Sequence, residues 1–150
     1  MPLVSVRFRR ALLLGVLALL ALPARAQEAP SLDPVLVPLH DYLQGHATGD
    51  GDAMRRAFHP AAQLFWIADG AVQQLSAEDF AARFSGQPPP DEDQRHRRIA
   101  SLDVTGDVAV ARVELDYPNA TFTDYMTLVR EGGEWKIINK TFYRGERWNP

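Results

Sequence analysis

The chain has 150 residues, no cysteine, 46% hydrophobic residues and a formal net charge of −3. That length suits one domain behind a leader and is too short for two. An acidic balance gains nothing from counterion release, which argues against nucleic acid as a partner, and the lack of cysteine excludes disulfide staples and a lipid carried on cysteine.

Arg7, Arg9 and Arg10 precede an unbroken apolar run from Ala11 to Leu22, and Ala24-Arg25-Ala26 is a small-x-small cleavage signal. The run is shorter than the roughly 20 residues that span a bilayer. Residues 1–26 therefore read as a secretory signal peptide and residues 27–150 as one exported domain, with the periplasm as the expected compartment and no membrane span after cleavage. Cleavage would remove four arginines (Arg7, Arg9, Arg10, Arg25) and move the formal charge from −3 to −7.

After a polar lead-in at 27–31, Asp33-Pro34 marks a helix start, with Val35, Leu36, Leu39, Tyr42 and Leu43 on one face. Pro38 leaves a second option open, a regular helix beginning only there. Thr48-Gly49-Asp50-Gly51-Asp52 stops this helix and caps the next, whose buried side holds Ala53, Met54, Ala57 and Phe58. A calcium loop begun at Asp50 would need Glu at its twelfth position, which is Ala61. His59-Pro60 ends the second helix. Two short strands, Leu64 to Ala68 and Ala71 to Leu75, flank the turn Asp69-Gly70. Ser76 to Asp79 then opens a third helix with Phe80, Ala81 and Phe84 inward.

Ser85 to Asp93 is a proline-rich surface loop, and Asp91-Glu92-Asp93 beside Arg95-His96-Arg97-Arg98 reads as a solvated, mutually screened surface. From Ile99 the pattern is strand only. Ile99 to Val104 turns at Gly106-Asp107 into Val108 to Tyr117, where alternate residues from Ala109 to Tyr117 are apolar. Pro118-Asn119 leads to a hairpin of two Thr-, aromatic- and β-branched-rich runs around Gly132-Gly133. Helices followed by strands indicate an α+β fold, helices covering one face of a curved sheet.

The Gly-Asp after the first helix, Ala57-Phe58-His59-Pro60, Thr121-Phe122-Thr123-Asp124-Tyr125 and the run Trp135 to Phe142 resemble the nuclear transport factor 2-like superfamily, and within it the lumazine-binding protein group. The resemblance covers nearly all of residues 32–143. It implies a cone of strongly bent, mostly antiparallel sheet around three N-terminal helices, a pocket between them, and a homodimer. It implies no particular activity, because the fold hosts isomerases, dehydratases, adaptors and pure binders.

Counting outward from a two-residue Gly132-Gly133 loop pairs Arg130 with Trp135, Leu128 with Ile137, Met126 with Asn139, Asp124 with Thr141 and Phe122 with Tyr143. These residues share one sheet face. Thr123, Tyr125, Thr127 and Val129 with Phe142, Lys140, Ile138 and Lys136 form the other. Asp124 then sits on an apolar row, where a carboxyl is expected to stay neutral and donate. Laid over the ketosteroid-isomerase branch of the superfamily, Tyr42 and Asp124 match the two oxyanion-hole donors, while Trp66 stands at the catalytic base. An indole cannot accept that proton.

The expected ligand-binding set is Tyr42, Trp66, Phe122, Asp124, Met126, Asn139, Thr141 and Tyr143, suited to a small planar, carbonyl-bearing ligand. Core filling is the competing role for Tyr42, Trp66, Phe122 and Met126. No catalytic residue is assigned and no cofactor is expected. His40, His46, His59 and His96 lack metal-ligand spacing. Two alternatives stay open: an isomerase or dehydratase using Asp124 and Tyr42 with Asp69 or His59 as base, and a dimeric assembly module with a filled cone.

Overall fold

A computed structural model of the chain describes residues 33–147; the signal peptide expected at 1–26 and the lead-in at 27–31 lie outside the described residues. Helix α1 spans Asp33–Thr48 and continues past Pro38. The N–H that proline lacks would have reached the carbonyl of Pro34. Pro34 is exposed, so water can serve that carbonyl, while the Pro38 ring is fully buried. Gly49, at φ +70°, turns the chain, and a Cβ there would lie 2.0 Å from the carbonyl oxygen of Gln87. Helix α2, Gly51–Ala57, is capped by Asp50, whose carboxylate accepts from the Asp52 N–H at 2.8 Å. The aspartates here act as a cap, as their spacing suggested.

Strand β1, Phe58–Ala68, begins directly after α2 and is longer than the sequence implied. Pro60 does not end it. The proline falls where pairing is irregular, between Phe58 and Gln63, so its missing N–H removes no ladder bond. Asp69-Gly70, both at positive φ, lead into strand β2, Ala71–Ser76. Ser76 caps helix α3, Ala77–Ala81, by accepting from the Asp79 N–H. The loop that follows contains a short 3-10 turn, Glu92–Gln94. Strands β3 (His96–Thr105), β4 (Val108–Tyr117), β5 (Ala120–Glu131) and β6 (Glu134–Gly145) complete the described chain.

The six strands form one sheet in the order β2-β1-β6-β5-β4-β3, and β1 with β6 is the parallel pair. Three helices pack against this curved, unclosed sheet, so the fold is α+β. The alternation read in β4 sends Ala109, Ala111, Val113, Leu115 and Tyr117 inward, where they meet Leu39 and Tyr42 of α1 and Met54 of α2 in one core.

The hairpin register departs from a simple count. Glu131 faces Glu134, Arg130 faces Trp135 and Leu128 faces Ile137, but then Thr127 pairs with Asn139, leaving Ile138 with no opposite number. Beyond this bulge Met126 faces Lys140, Asp124 faces Phe142 and Phe122 faces Arg144. Side chains alternate along a strand, so an extra residue exchanges the two faces. Lys140 and Phe142 move to the face of Asp124. Asn139, Thr141 and Tyr143 leave it.

Candidate functional site

The concave side of the sheet and the helices line a cavity of about 350 Å³ that is open to one side. Its walls are Leu64 and Trp66 of β1, Leu75 of β2, Phe80 of α3, Leu115 and Tyr117 of β4, Phe122 of β5 and Phe142 of β6. Aromatic packing ties them together: Trp66 stacks on Phe142 at 5.4 Å, and Tyr117 and Phe142 both approach Phe122. Polar groups enter at three further places, His46 at the end of α1, the exposed Arg83 after α3, and Lys140 of β6.

Lys140 brings the chemistry. Its Nζ donates to the Tyr42 hydroxyl at 2.6 Å and lies 3.2 Å from Oδ2 of Asp124, while the same hydroxyl donates to that Oδ2 at 2.6 Å. Tyr42 and Asp124 are wholly buried and Lys140 is 4% exposed. The ammonium also sits 4.9, 5.0 and 4.8 Å from the ring centres of Tyr42, Phe80 and Phe142, a partial aromatic cage. Burial pushes Lys140 below the usual amine range, with Asp124 opposing it. Burial, then the charge of Asp124, pushes the Tyr42 phenol well up, so it remains a protonated donor. Asp124 was expected to donate; instead its Oδ2 accepts from Tyr42 and stands beside a cation that the counted register placed on the other face.

Two buried atoms in this region lack a hydrogen-bond partner among the described residues, Oδ1 of Asp124 and Nε2 of His46. The His46 ring lies 4.7 Å from Tyr42 and 5.3 Å from Phe84, edge to face. Burial holds its pKa well below the ordinary value, helped by the charges of Lys140, Arg97 and Arg95, so the imidazole is neutral.

Of the expected ligand contacts, Trp66 and Phe122 line the cavity. Tyr42 and Asp124 meet each other, held behind Lys140. Met126, 1% exposed and opposite Lys140, lies in the core and is not part of the wall. Asn139, Thr141 and Tyr143 are corrected: the first two bond each other at 3.3 Å on the outer face, and Tyr143 is 70% exposed. The bases considered for an isomerase are elsewhere. Asp69 sits in the β1–β2 turn, and His59 is spent on the Ala61 N–H and Glu131. The basic cluster is not all solvated either: Arg97 is nearly buried, pairing with Glu92 and bonding the Tyr117 hydroxyl at 3.0 Å. Among the described residues no group of three or more His, Asp or Glu side chains could hold a metal ion.

Similar proteins share this frame. An NTF2-like protein of unknown function from Shewanella baltica is 24% identical and superposes with a TM-score of 0.69, covering 77% of this chain and 94% of its own. Another from Methylobacillus flagellatus is 28% identical with a TM-score of 0.64, covering 75% and 90%. A curated relative, aldolase FrzH from Cladobotryum, is 22% identical over 111 residues, 74% of this chain and 89% of the relative. The family model described as "Putative lumazine-binding" matches residues 31–143, and the chain belongs to that family, within the nuclear transport factor 2-like fold.

Proposed function

We propose that this is an exported protein that binds a small, planar, carbonyl-bearing heterocycle of the lumazine kind in the cavity between helices and sheet. One observation carries the proposal: an aromatic-walled cavity of about 350 Å³ whose charged lining groups, Lys140 and Arg83, can only donate hydrogen bonds. That size falls in the range of small-molecule sites. Flat rings stack on Trp66 and Phe142, and a carbonyl oxygen accepts from the lysine. The family description supports the ligand class. The open cavity speaks against an assembly module with a filled cone.

Titration of the full chain with lumazine is expected to quench tryptophan fluorescence and raise the melting temperature. Trp66→Ala is expected to weaken binding about tenfold, the loss of one good aromatic contact of roughly 1–1.5 kcal/mol. Lack of any shift at millimolar lumazine, with the protein folded, rules this ligand class out. Export predicts that the protein recovered from the producing cells begins at Gln27.

We also propose pairing of two copies through the outer face of the sheet, where Val108, Val110 and Tyr125 are each more than half exposed. Sedimentation is expected to give twice the monomer mass, and Tyr125→Asp to halve it. A monomer at every concentration removes the dimer and leaves ligand binding untouched. Catalysis in the same cavity is a second reading, favoured by the buried Tyr42, Asp124 and Lys140 cluster and by the aldolase name of the Cladobotryum relative.

A further inference from the structure

The full sequence contains fourteen arginines and two lysines, Lys136 and Lys140. One of the two lines the cavity and is buried against a carboxylate and a phenol. A permanent buried ion pair is better served by arginine, whose planar fork matches a carboxylate and which never deprotonates. Lysine offers what arginine cannot, an amine that can give up its proton and become a nucleophile. Lys136 has a different setting, its Nζ donating to the carbonyl of Arg56 at 2.8 Å on the surface.

We propose that Lys140 is a nucleophilic amine that condenses with an aldehyde or ketone carbonyl admitted to the cavity, forming an iminium and releasing water; this rests on the ligand-binding reading of the same cavity. The ammonium first passes a proton to Asp124, 3.2 Å away. The freed Nζ lone pair forms a bond to the carbonyl carbon as the carbon–oxygen π bond opens, and the oxygen takes a proton. Tyr42 is placed for that delivery: its hydroxyl bonds both Nζ and Asp124 at 2.6 Å, so a proton can run from Asp124 through the phenol to an oxygen two bonds from Nζ. The carbinolamine then loses water, which carries off the carbonyl oxygen, that proton and a second one from the amine.

Ammonium plus carbonyl gives iminium plus water. One positive charge is present before and after, so the Asp124 carboxylate has a counterion at both ends of the step; while Asp124 holds the proton the amine beside it is neutral, and no buried charge is left uncompensated. The apolar walls of Phe80, Phe122 and Phe142 disfavour the returning water that would hydrolyse the product. Burial also lowers the proton affinity of Lys140, which brings the free amine within reach.

The test treats the full chain with benzaldehyde and sodium cyanoborohydride, which supplies the hydride that fixes an iminium as a stable benzylamine, and maps adducts by peptide mass. Lys136 and the N-terminal amine are internal comparators. The expected result is one benzyl group on Lys140 ahead of both comparators, unchanged in Lys136→Arg, lost in Lys140→Arg, and suppressed by lumazine, whose imide carbonyls compete for the cavity without condensing. The wild-type map decides the matter even if Lys140→Arg fails to fold. Modification of Lys136 or the N-terminus with Lys140 unmodified overturns the proposal. If lumazine still binds in that case, ligand binding stands without covalent chemistry; if it does not, both fall.

Discussion

Asp124→Ala is expected to cost about 3–5 kcal/mol of folding stability, the loss typical when one partner of a buried ion pair is removed. The residue is wholly buried, and without it Lys140 would lose its counterion in an apolar core, with only the Tyr42 oxygen to bond. The phenol would also lose its acceptor. Urea unfolding of both chains gives the difference directly. The triple variant Tyr42→Phe, Asp124→Leu, Lys140→Met removes every member of the cluster and leaves no orphaned group, so it is expected to equal or exceed the parent in stability, since apolar replacements of buried ion pairs are often neutral or better. It is also expected to lose ligand binding. A single variant within about 1 kcal/mol of the parent, well under the usual loss, would mean that the three groups are not coupled.

That contrast separates what the cluster does for folding from what it does for the cavity. A core built only for stability would be filled with apolar side chains here, as its neighbours Met126, Leu128 and Ile137 are. A lysine held at the cavity wall by a carboxylate and a phenol makes sense as a donor, or a nucleophile, for something that enters. Because the cluster is assembled from α1, β5 and β6, any shift of the first helix against the hairpin would break it.

The limits of reading this site from sequence lie in one residue. The strands, the turns at Asp69-Gly70 and Gly132-Gly133, the caps at Asp50 and Ser76 and the inward row of β4 are all local signals, and local signals are what a sequence displays. The face of a strand beyond a bulge is not local. Counting from the loop assumes an unbroken ladder, and the extra Ile138 reverses everything after it. A trace of this was present: Trp135-Lys136-Ile137 alternates, and Ile138 directly after Ile137 breaks the period of two, as a bulge does. Asp124 and Tyr42 came forward through the resemblance to the isomerase branch, and their inward placement follows from their own strand and helix patterns, whereas Lys140 and Phe142 were assigned to the wrong side. His46 was passed over as a histidine without metal-ligand spacing, although it stands one helical turn after Tyr42, and its ring lies at the cavity wall.

Acidification is expected to destabilise this protein through His46. The free imidazole titrates near 6.5, and in the folded protein the group is held well below that, first by burial and then by Lys140, Arg97 and Arg95. Between the two values the unfolded chain binds a proton that the folded chain refuses, so stability rises with pH across that window and is flat above it. Falling pH should therefore remove stability from about pH 6.5 downward, by up to ~1.4 kcal/mol per pH unit from this residue, until the folded group itself protonates. His46→Phe tests this with little change of shape, because the ring already packs edge to face against Tyr42 and Phe84. Carboxylates and the other histidines titrate in both chains, so the difference between the two stability curves isolates His46. The curves are expected to run parallel above pH 7 and to separate below about pH 6.5, the variant gaining relative to the parent as the pH falls. Parallel curves down to about pH 5, where a free imidazole is almost fully charged, would show that His46 accepts its proton in the folded protein and that the cavity wall beside it is open to water.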